Sequence, residues 1–247
     1  MTARALSLSL AIIMGGMMTM AGAVTPLAAQ EPDLPPLPGP PGSAPDAPPP
    51  RQLPKSERQL INECRQAYEV RDYAAAEAAC LPIAEDGNVL AQRTLGMIYL
   101  SGYGAFRPHV QAEKWIRKAA EAGDAQAQFT LGTMYLHGVG VTKLDKTAAE
   151  WILKAAEQRH QEAQDTIAYM YLVGQGVPRR NDLALYWYKR AADAGYPKSQ
   201  YNLGVLYHKG QAVPRDESQA LYWIRRAAAN GYPDAKKFLE DVDPRRK

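Results

Sequence analysis

The sequence predicts an all-α solenoid, and three observations support this fold class. A set of residues recurs every 36 positions, apolar residues inside each interval follow helical spacing, and glycines stand where the helices would end. The series includes all four tryptophans and four tyrosines: Trp115, Trp151, Trp187, Trp223, Tyr99, Tyr135, Tyr171 and Tyr207. A fixed period of this length is typical of stacked repeats.

Each unit of the repeat resolves into two helices. In the first helix, Ala91, Leu95 and Tyr99 lie four residues apart and share one helical face. In the second helix, Trp115 and Ala119 have the same spacing. Glycine favours the left-handed conformation that ends a helix, and it occurs at the expected ends at Gly102, Gly138, Gly174, Gly210, Gly123, Gly195 and Gly231.

Four further positions refine the helix ends. Arg159 replaces the glycine that should follow the second helix of the second unit, and Ala212 replaces a glycine in the loop of the fourth. Asp216 and Asn181 are expected to be N-caps of second helices, because their side chains can accept a backbone hydrogen bond there.

The spacing divides a repeat domain, residues 55–247, into five helical hairpins and a C-terminal capping helix. The hairpins lie near 57–88, 89–124, 125–160, 161–196 and 197–232, and the cap near 233–242. The first hairpin is shortened, since its turn lacks the glycine loop. Tryptophan fills the space between successive hairpins, so the units stabilise one another in a row.

The N-terminal residues are predicted to be a targeting segment and a spacer. Arg4 precedes an uncharged stretch that ends in small residues, the pattern of a secretory signal peptide over 1–29. Cleavage after Ala23 or after Ala29 fits, and an uncleaved anchor is the disfavoured alternative. Residues 31–54 hold 11 prolines in 24 positions, so 30–54 is expected to be a disordered linker.

The repeat resembles that of the Sel-one-like repeat family, which is related to the tetratricopeptide repeats. The shared pattern is A-x-x-x-L-G-x-x-Y-x-x-G-x-G-V followed by A-x-x-W-x-x-x-A-A-x-x-G, seen here from Ala127 through Tyr135 to Trp151 and Ala156. The resemblance covers residues 89–231. It implies a right-handed α/α superhelix that contacts other proteins, often as an adaptor or regulator at the bacterial envelope, and it implies no reaction.

The sequence carries no catalytic, cofactor-binding or metal-binding signature. None of the four histidines has a metal-ligand spacing, and neither G-x-S-x-G nor S-x-x-K occurs. The formal net charge is only +3 without a basic cluster, which disfavours nucleic acid as a partner. We therefore predict a non-enzymatic, periplasmic scaffold without an integral membrane span after signal cleavage. A hydrolase acting on cell wall or β-lactams and a glycan-binding module are the alternatives.

By resemblance to the tetratricopeptide repeats, a protein or peptide partner would lie in a concave groove lined by the first helices. Helical spacing independently places these positions on a stripe distinct from the packing face. The candidate groove residues are Arg93, Met97, Phe129, Thr133, His137, Asp165, Tyr169, Tyr201 and His208. Three of them would be exposed aromatics, the residue type enriched at binding hot spots. Coverage of these rings by a neighbouring helix is the alternative.

Cys64 and Cys80 are expected to form a disulfide. Each lies eight residues from Asp72 at the centre of the first turn, so the two stand at the same height in an antiparallel helix pair. Closely packed helices can bring the two Cα atoms within about 7 Å, and an oxidising compartment permits the bond. Two separate buried thiols are the alternative.

Overall fold

The computed structural model describes residues 55–103 and 108–242, and the secondary structure in these ranges consists of helices and the turns between them. The described helices are α1 (Lys55–Glu69), α2 (Tyr73–Glu85), α3 (Val89–Leu100), α4 (Pro108–Glu121), α5 (Ala125–His137), α6 (Asp145–Glu157), α7 (Gln161–Val173), α8 (Asn181–Asp193), α9 (Pro197–Lys209), α10 (Glu217–Ala229) and α11 (Pro233–Val242). The predicted signal peptide and linker, residues 1–29 and 30–54, lie outside the described residues.

The helices form a linear array of antiparallel hairpins. Each helix packs mainly on the helix before it and the helix after it. Four hairpins, α3–α4, α5–α6, α7–α8 and α9–α10, follow the shorter α1–α2 hairpin, and α11 packs on α10. The predicted all-α solenoid is therefore confirmed.

Left-handed residues end most of the first helices as predicted. Gly138 and Gly174 cap α5 and α7 with φ of 74° and 78°. Arg159 and Ala212, which replace glycine, retain the left-handed conformation with φ of 68° and 67°. The repeat therefore imposes this conformation even where the side chain opposes it.

Only one of the two predicted N-caps has the expected role. Asp216 accepts a hydrogen bond from the backbone N–H of Gln219 at 3.0 Å. The prediction for Asn181 is wrong, because α8 already begins at Asn181 and its N-cap is Arg180, whose side chain makes no capping hydrogen bond.

Three of the four tryptophans are fully part of the core. Trp115, Trp187 and Trp223 are 3%, 6% and 6% exposed, whereas Trp151 is only half-buried. Equal burial of all four was expected from their register, so this expectation is wrong for Trp151. A basic side chain three residues further along lies over each ring, at 4.1–5.3 Å from its centroid, and adds a cation–π contact: Lys118, Lys154, Arg190 and Arg226.

A buried glutamine links each repeat to the one before it. The side-chain amide of each glutamine donates a hydrogen bond to an alanine carbonyl eight residues upstream, at the end of the preceding second helix. The pairs are Gln92–Ala84, Gln128–Ala120, Gln164–Ala156 and Gln200–Ala192, at 3.0–3.1 Å. Each of these carbonyls also accepts a hydrogen bond from the backbone N–H three residues further on, at 3.0–3.2 Å, so the glutamine supplies its second partner at the helix end.

The first hairpin contains the predicted disulfide. Cys64 of α1 and Cys80 of α2 are bonded, with Cα atoms 4.9 Å apart. Both residues are buried, at 1% and 0% exposure. Among the described residues, the hairpin that the bond crosslinks packs against a repeat on its C-terminal side only.

Candidate functional site

The candidate partner surface is the row of residues on the first helices of the four repeats. We call it the first-helix face, and it comprises the nine predicted groove residues together with Val173. Tyr169 and Val173, one turn apart on α7, are its most open apolar residues, with 52% and 48% exposure. An apolar pair exposed to this degree is available for contact with another molecule.

Two of the predicted aromatics are half-buried instead of open. The ring of Phe129 lies 4.8 Å from the imidazole of His160, and that of Tyr201 lies 5.2 Å from the ring of Tyr232, between ring centroids. In both pairs the partner is 31 residues further along and belongs to the junction with the next helix. The expectation that Phe129 and Tyr201 are free surface aromatics is therefore wrong.

Arg93 has the same kind of junction contact. Its Nη1 atom lies 2.7 Å from Oδ2 of Asp124, again 31 residues further along, and donates a hydrogen bond to it. Both side chains are partly exposed, at 30% and 17%. The ion pair neutralises this cation of the first-helix face within the protein.

Asp165 is buried, which corrects its expected position on the open surface. Its side chain is 2% exposed and accepts hydrogen bonds at Oδ1 from Ser199 and Asn202, at 2.7 and 2.9 Å. Its Oδ2 lies 2.8 Å from the ammonium of Lys198. Four side chains from α7 and α9 thus form one satisfied polar network at the junction of the third and fourth repeats.

The charge of this network is balanced internally. Burial disfavours the charged form of Lys198, but the hydrogen bond and charge of Asp165 outweigh it and raise the pKa of the ammonium. Burial also raises the pKa of the neighbouring Tyr188 hydroxyl, and the charge of Asp165 adds to the effect. Lys198 therefore remains protonated and paired at neutral pH.

The remaining predicted residues differ in how accessible they are. Met97 is half-buried against the core, and the Thr133 hydroxyl donates to the Thr130 carbonyl at 2.7 Å. His137 is exposed. The Nδ1 atom of His208 lies 3.0 Å from a carboxylate oxygen of Glu217, and its ring meets Phe238 edge-on.

Two kinds of feature are absent from the described residues. No set of three or more His, Cys, Asp or Glu side chains in it is arranged to hold a metal ion. Within the same residues, no helix has both the length and the apolar character that a bilayer crossing requires.

The junction contacts were missed in the sequence although a signal was present. Positions 93, 129 and 201 each contact the residue 31 positions further along, at 124, 160 and 232. Both series follow the 36-residue period. The three contacting pairs are of different residue types, however, so periodic identity alone could not reveal the pairing.

Comparison with known proteins gives a consistent result. The family described as Sel1 repeat matches residues 89–124, 125–160, 161–196 and 197–232. The comparison with curated proteins finds no match.

Two solved structures are similar in fold and sequence. A Sel1 repeat protein from Oxalobacter formigenes superposes with a TM-score of 0.69 at 32% identity, covering 74% of this chain and 72% of that one. The protective antigen c5321 of uropathogenic Escherichia coli, which displays an SLR fold, has a TM-score of 0.69 at 29% identity. That match covers 75% of this chain but only 41% of c5321.

Proposed function

This chain belongs to the Sel1 repeat family, and from that membership we propose that it is an exported, periplasmic scaffold that binds a protein or peptide along its first-helix face. Sel1 repeat proteins are generally scaffolds for protein interaction. An adaptor or regulator of an envelope or signalling complex is the role we propose for it.

The observation that carries the proposal is the exposure of Tyr169 and Val173. The equivalent position to Tyr169 is Met97 in the first repeat and Thr133 in the second, both half-buried. Only the third repeat places an aromatic ring there, at 52% exposure. Large aromatics that a partner can desolvate contribute much of the energy at protein interfaces.

The pairing of charges within the protein favours an apolar contact surface on the partner. Two charged residues of the face, Arg93 and Asp165, are paired with Asp124 and Lys198, so the scaffold itself neutralises both charges. Contact with Tyr169 and Val173 is then the main source of affinity that we expect.

The disulfide supports export. Bonds of this kind persist in oxidising compartments and are rare in the cytosol. Thiol titration of protein from intact cells, denatured but not reduced, tests this part separately. Two free thiols per chain would contradict the proposed compartment.

Site-specific photocrosslinking tests the proposed face. A photoreactive phenylalanine replaces Tyr169 in the full chain, expressed in its native host. The matched control carries the same group at Val110, which is 50% exposed but lies on the second helix α4. Because the two sites are almost equally exposed, the comparison reports on the face that each samples.

We expect a discrete protein adduct from position 169 that is absent from position 110. The adduct should weaken when Val173 is replaced by Asp, which leaves the core untouched. Equal adducts from both positions, or none from 169, would contradict the face. A glycan adduct without a protein would support the glycan-binding alternative instead.

A further inference from the structure

Two identical aromatic–arginine clusters lie on the second helices of the last two repeats. In both, the Tyr and Trp ring centroids are 5.0 Å apart, and the guanidinium carbon lies 5.3 Å from the Trp centroid and 5.7 Å from the Tyr centroid. Arginine Nη1 donates to the Tyr hydroxyl at 3.1 Å in both. The clusters are Tyr186–Trp187–Arg190 on α8 and Tyr222–Trp223–Arg226 on α10.

A second basic residue accompanies each arginine. Lys189 and Arg225 are exposed, and neither they nor the two clustered arginines form an ion pair within the described part of the chain. Leu185 of α8 packs against the apolar cluster that contains Trp223 of α10, so both helices contribute to one cluster. We call the resulting surface the cationic–aromatic patch: Tyr186, Lys189, Arg190, Tyr222, Arg225 and Arg226.

The acidic residues around the patch leave it positively charged. Asp182 forms its ion pair with Arg180, and Glu217 lies against Arg215 and His208. Two further carboxylates are close to the patch in sequence: Asp193 at the end of α8, and Asp216, the N-cap of α10. Four cations against these two carboxylates still leave a positive excess.

The first two repeats lack this combination. The tyrosine positions hold Lys114 and Glu150, and the second basic position holds Arg117, which is paired with Glu113, and then Leu153. The patch is therefore a feature of the C-terminal repeats and not of the repeat as such.

We propose that the cationic–aromatic patch binds the surface of an anionic lipid bilayer. Basic side chains near such a surface contribute about 1 kcal/mol each, and tyrosine is favoured at membrane interfaces because its ring is apolar and its hydroxyl polar. Arginine held on an aromatic ring presents its remaining N–H groups in the planar geometry that phosphate accepts.

A bilayer surface suits the patch better than an extended polypeptide does. The two clusters present the same groups from equivalent positions of consecutive repeats, so a bilayer can contact both together. The patch shares no residue with the first-helix face, so lipid and partner binding would be compatible.

Cosedimentation with lipid vesicles tests the proposal on the full chain. Vesicles contain either phosphatidylglycerol with phosphatidylcholine or phosphatidylcholine alone. The patch variant is Lys189→Gln with Arg225→Gln, which changes two exposed side chains. The charge-matched control is Lys114→Gln with Lys146→Gln, two exposed cations on α4 and α6.

We expect binding to the anionic vesicles to fall about 20- to 30-fold in the patch variant and far less in the control variant, because two basic residues contribute about 2 kcal/mol. Binding should also weaken as salt is raised. The apolar N-terminal stretch is common to all variants and cancels in the comparison. Equal losses in both variants, or a loss on phosphatidylcholine vesicles as large as that on the anionic vesicles, would overturn the proposal. So would binding to soluble poly-glutamate with none to anionic vesicles, which would assign the patch to an acidic polypeptide.

Discussion

Gly132 of α5 lies so close to α6 that a β-carbon at this position would stand 2.5 Å from Cγ1 of Ile152. The first and fourth repeats have the same arrangement, with Gly96 against Ile116 and Gly204 against Ile224. The third repeat changes both partners, to Ala168 and Tyr188, and both are buried. Tyrosine is unbranched at its β-carbon, which leaves room for the alanine methyl where isoleucine would not.

This relationship predicts a coupled pair of substitutions. Gly132→Ala should lower the free energy of unfolding by about 1–3 kcal/mol, because the added methyl overpacks the helix contact. Adding Ile152→Tyr, which reproduces the third repeat, should recover part of the loss. Urea unfolding of the two single variants and the double variant measures the coupling, expected to be at least about 0.5 kcal/mol. Strict additivity of the two changes would show that the residues do not compensate each other.

The fold could be predicted further than the site could. The repeat period, the helix ends and the disulfide depend on residue types and spacing that are visible in one sequence. The burial of Asp165 is different, since its register position holds Arg93, Phe129 and Tyr201 in the other repeats. Its hydrogen-bond partner Ser199 lies 34 residues away, at a position that alanine holds in the other three repeats. Only the three-dimensional structure shows that these two unusual residues contact each other, which explains why Asp165 is buried.

The glutamine links show the same limit. Gln92, Gln128, Gln164 and Gln200 follow the period, so their regularity was readable. Helical spacing alone cannot distinguish a glutamine that is exposed to solvent from one that is buried and donates a hydrogen bond to a backbone carbonyl. Only the contact with the preceding helix makes that distinction.

One of these glutamines has an unsatisfied acceptor, which predicts a stabilising substitution. Gln158 donates to Oε1 of Gln128, and Asn230 donates to that of Gln200. The equivalent residue in the third repeat is Ala194, and Oε1 of Gln164 is buried without a partner. Ala194→Asn should supply the missing donor and raise the free energy of unfolding by about 1 kcal/mol.

Thermal and urea unfolding check this expectation. As a matched control, Gln158→Ala should have the opposite effect and destabilise by a similar amount, since it removes the donor to Gln128. No gain from Ala194→Asn, with the expected loss from Gln158→Ala, would show that the acceptor of Gln164 is not a source of instability.

The left-handed residues predict a second stabilising change. Arg159 and Ala212 adopt positive φ, which costs an L-residue about 1–2 kcal/mol relative to glycine. Arg159→Gly and Ala212→Gly should each stabilise by up to about 1 kcal/mol, after allowance for the greater freedom of glycine in the unfolded chain.

The reverse change provides the control. Gly195 has φ of 91° and open space around the position of an added β-carbon, so Gly195→Ala tests the backbone conformation without steric contact. It should destabilise by about 1 kcal/mol. If the Arg159→Gly variant unfolds at the same urea concentration as the wild type, the side chain of Arg159 must contribute enough to offset its strained backbone.

His160 makes the junction of the second and third repeats sensitive to pH. Its Nδ1 atom accepts a hydrogen bond from the backbone N–H of Ala163 at 3.2 Å, so the proton of the neutral ring is on Nε2, 3.0 Å from Oε1 of Gln126. Burial lowers the pKa of the imidazole, and the charges of Glu162 and Asp124 oppose this shift only in part. Protonation would put a hydrogen on Nδ1, which could then no longer accept the hydrogen bond from the backbone N–H of Ala163 that caps α7.

The sign of the effect follows from linkage. The unfolded chain retains the ordinary pKa of about 6.5, so below that value it binds the proton more readily than the folded protein does. The contribution of neutral His160 to stability is therefore complete above about pH 6.5 and is lost as the pH falls through its lowered folded pKa. A variant that cannot titrate at this position tests the effect. Asn88 caps the equivalent position of the first repeat and accepts a hydrogen bond from the backbone N–H of Ala91 at 3.0 Å, but it does not titrate.

We therefore expect the His160→Asn variant to lose less stability than the wild type when the pH falls from about 7.5 to about 5, as measured by urea unfolding at both pH values. Other titrating groups are common to both proteins, so the difference between them isolates His160. An identical loss in both would mean that protonation of this imidazole does not disturb the junction.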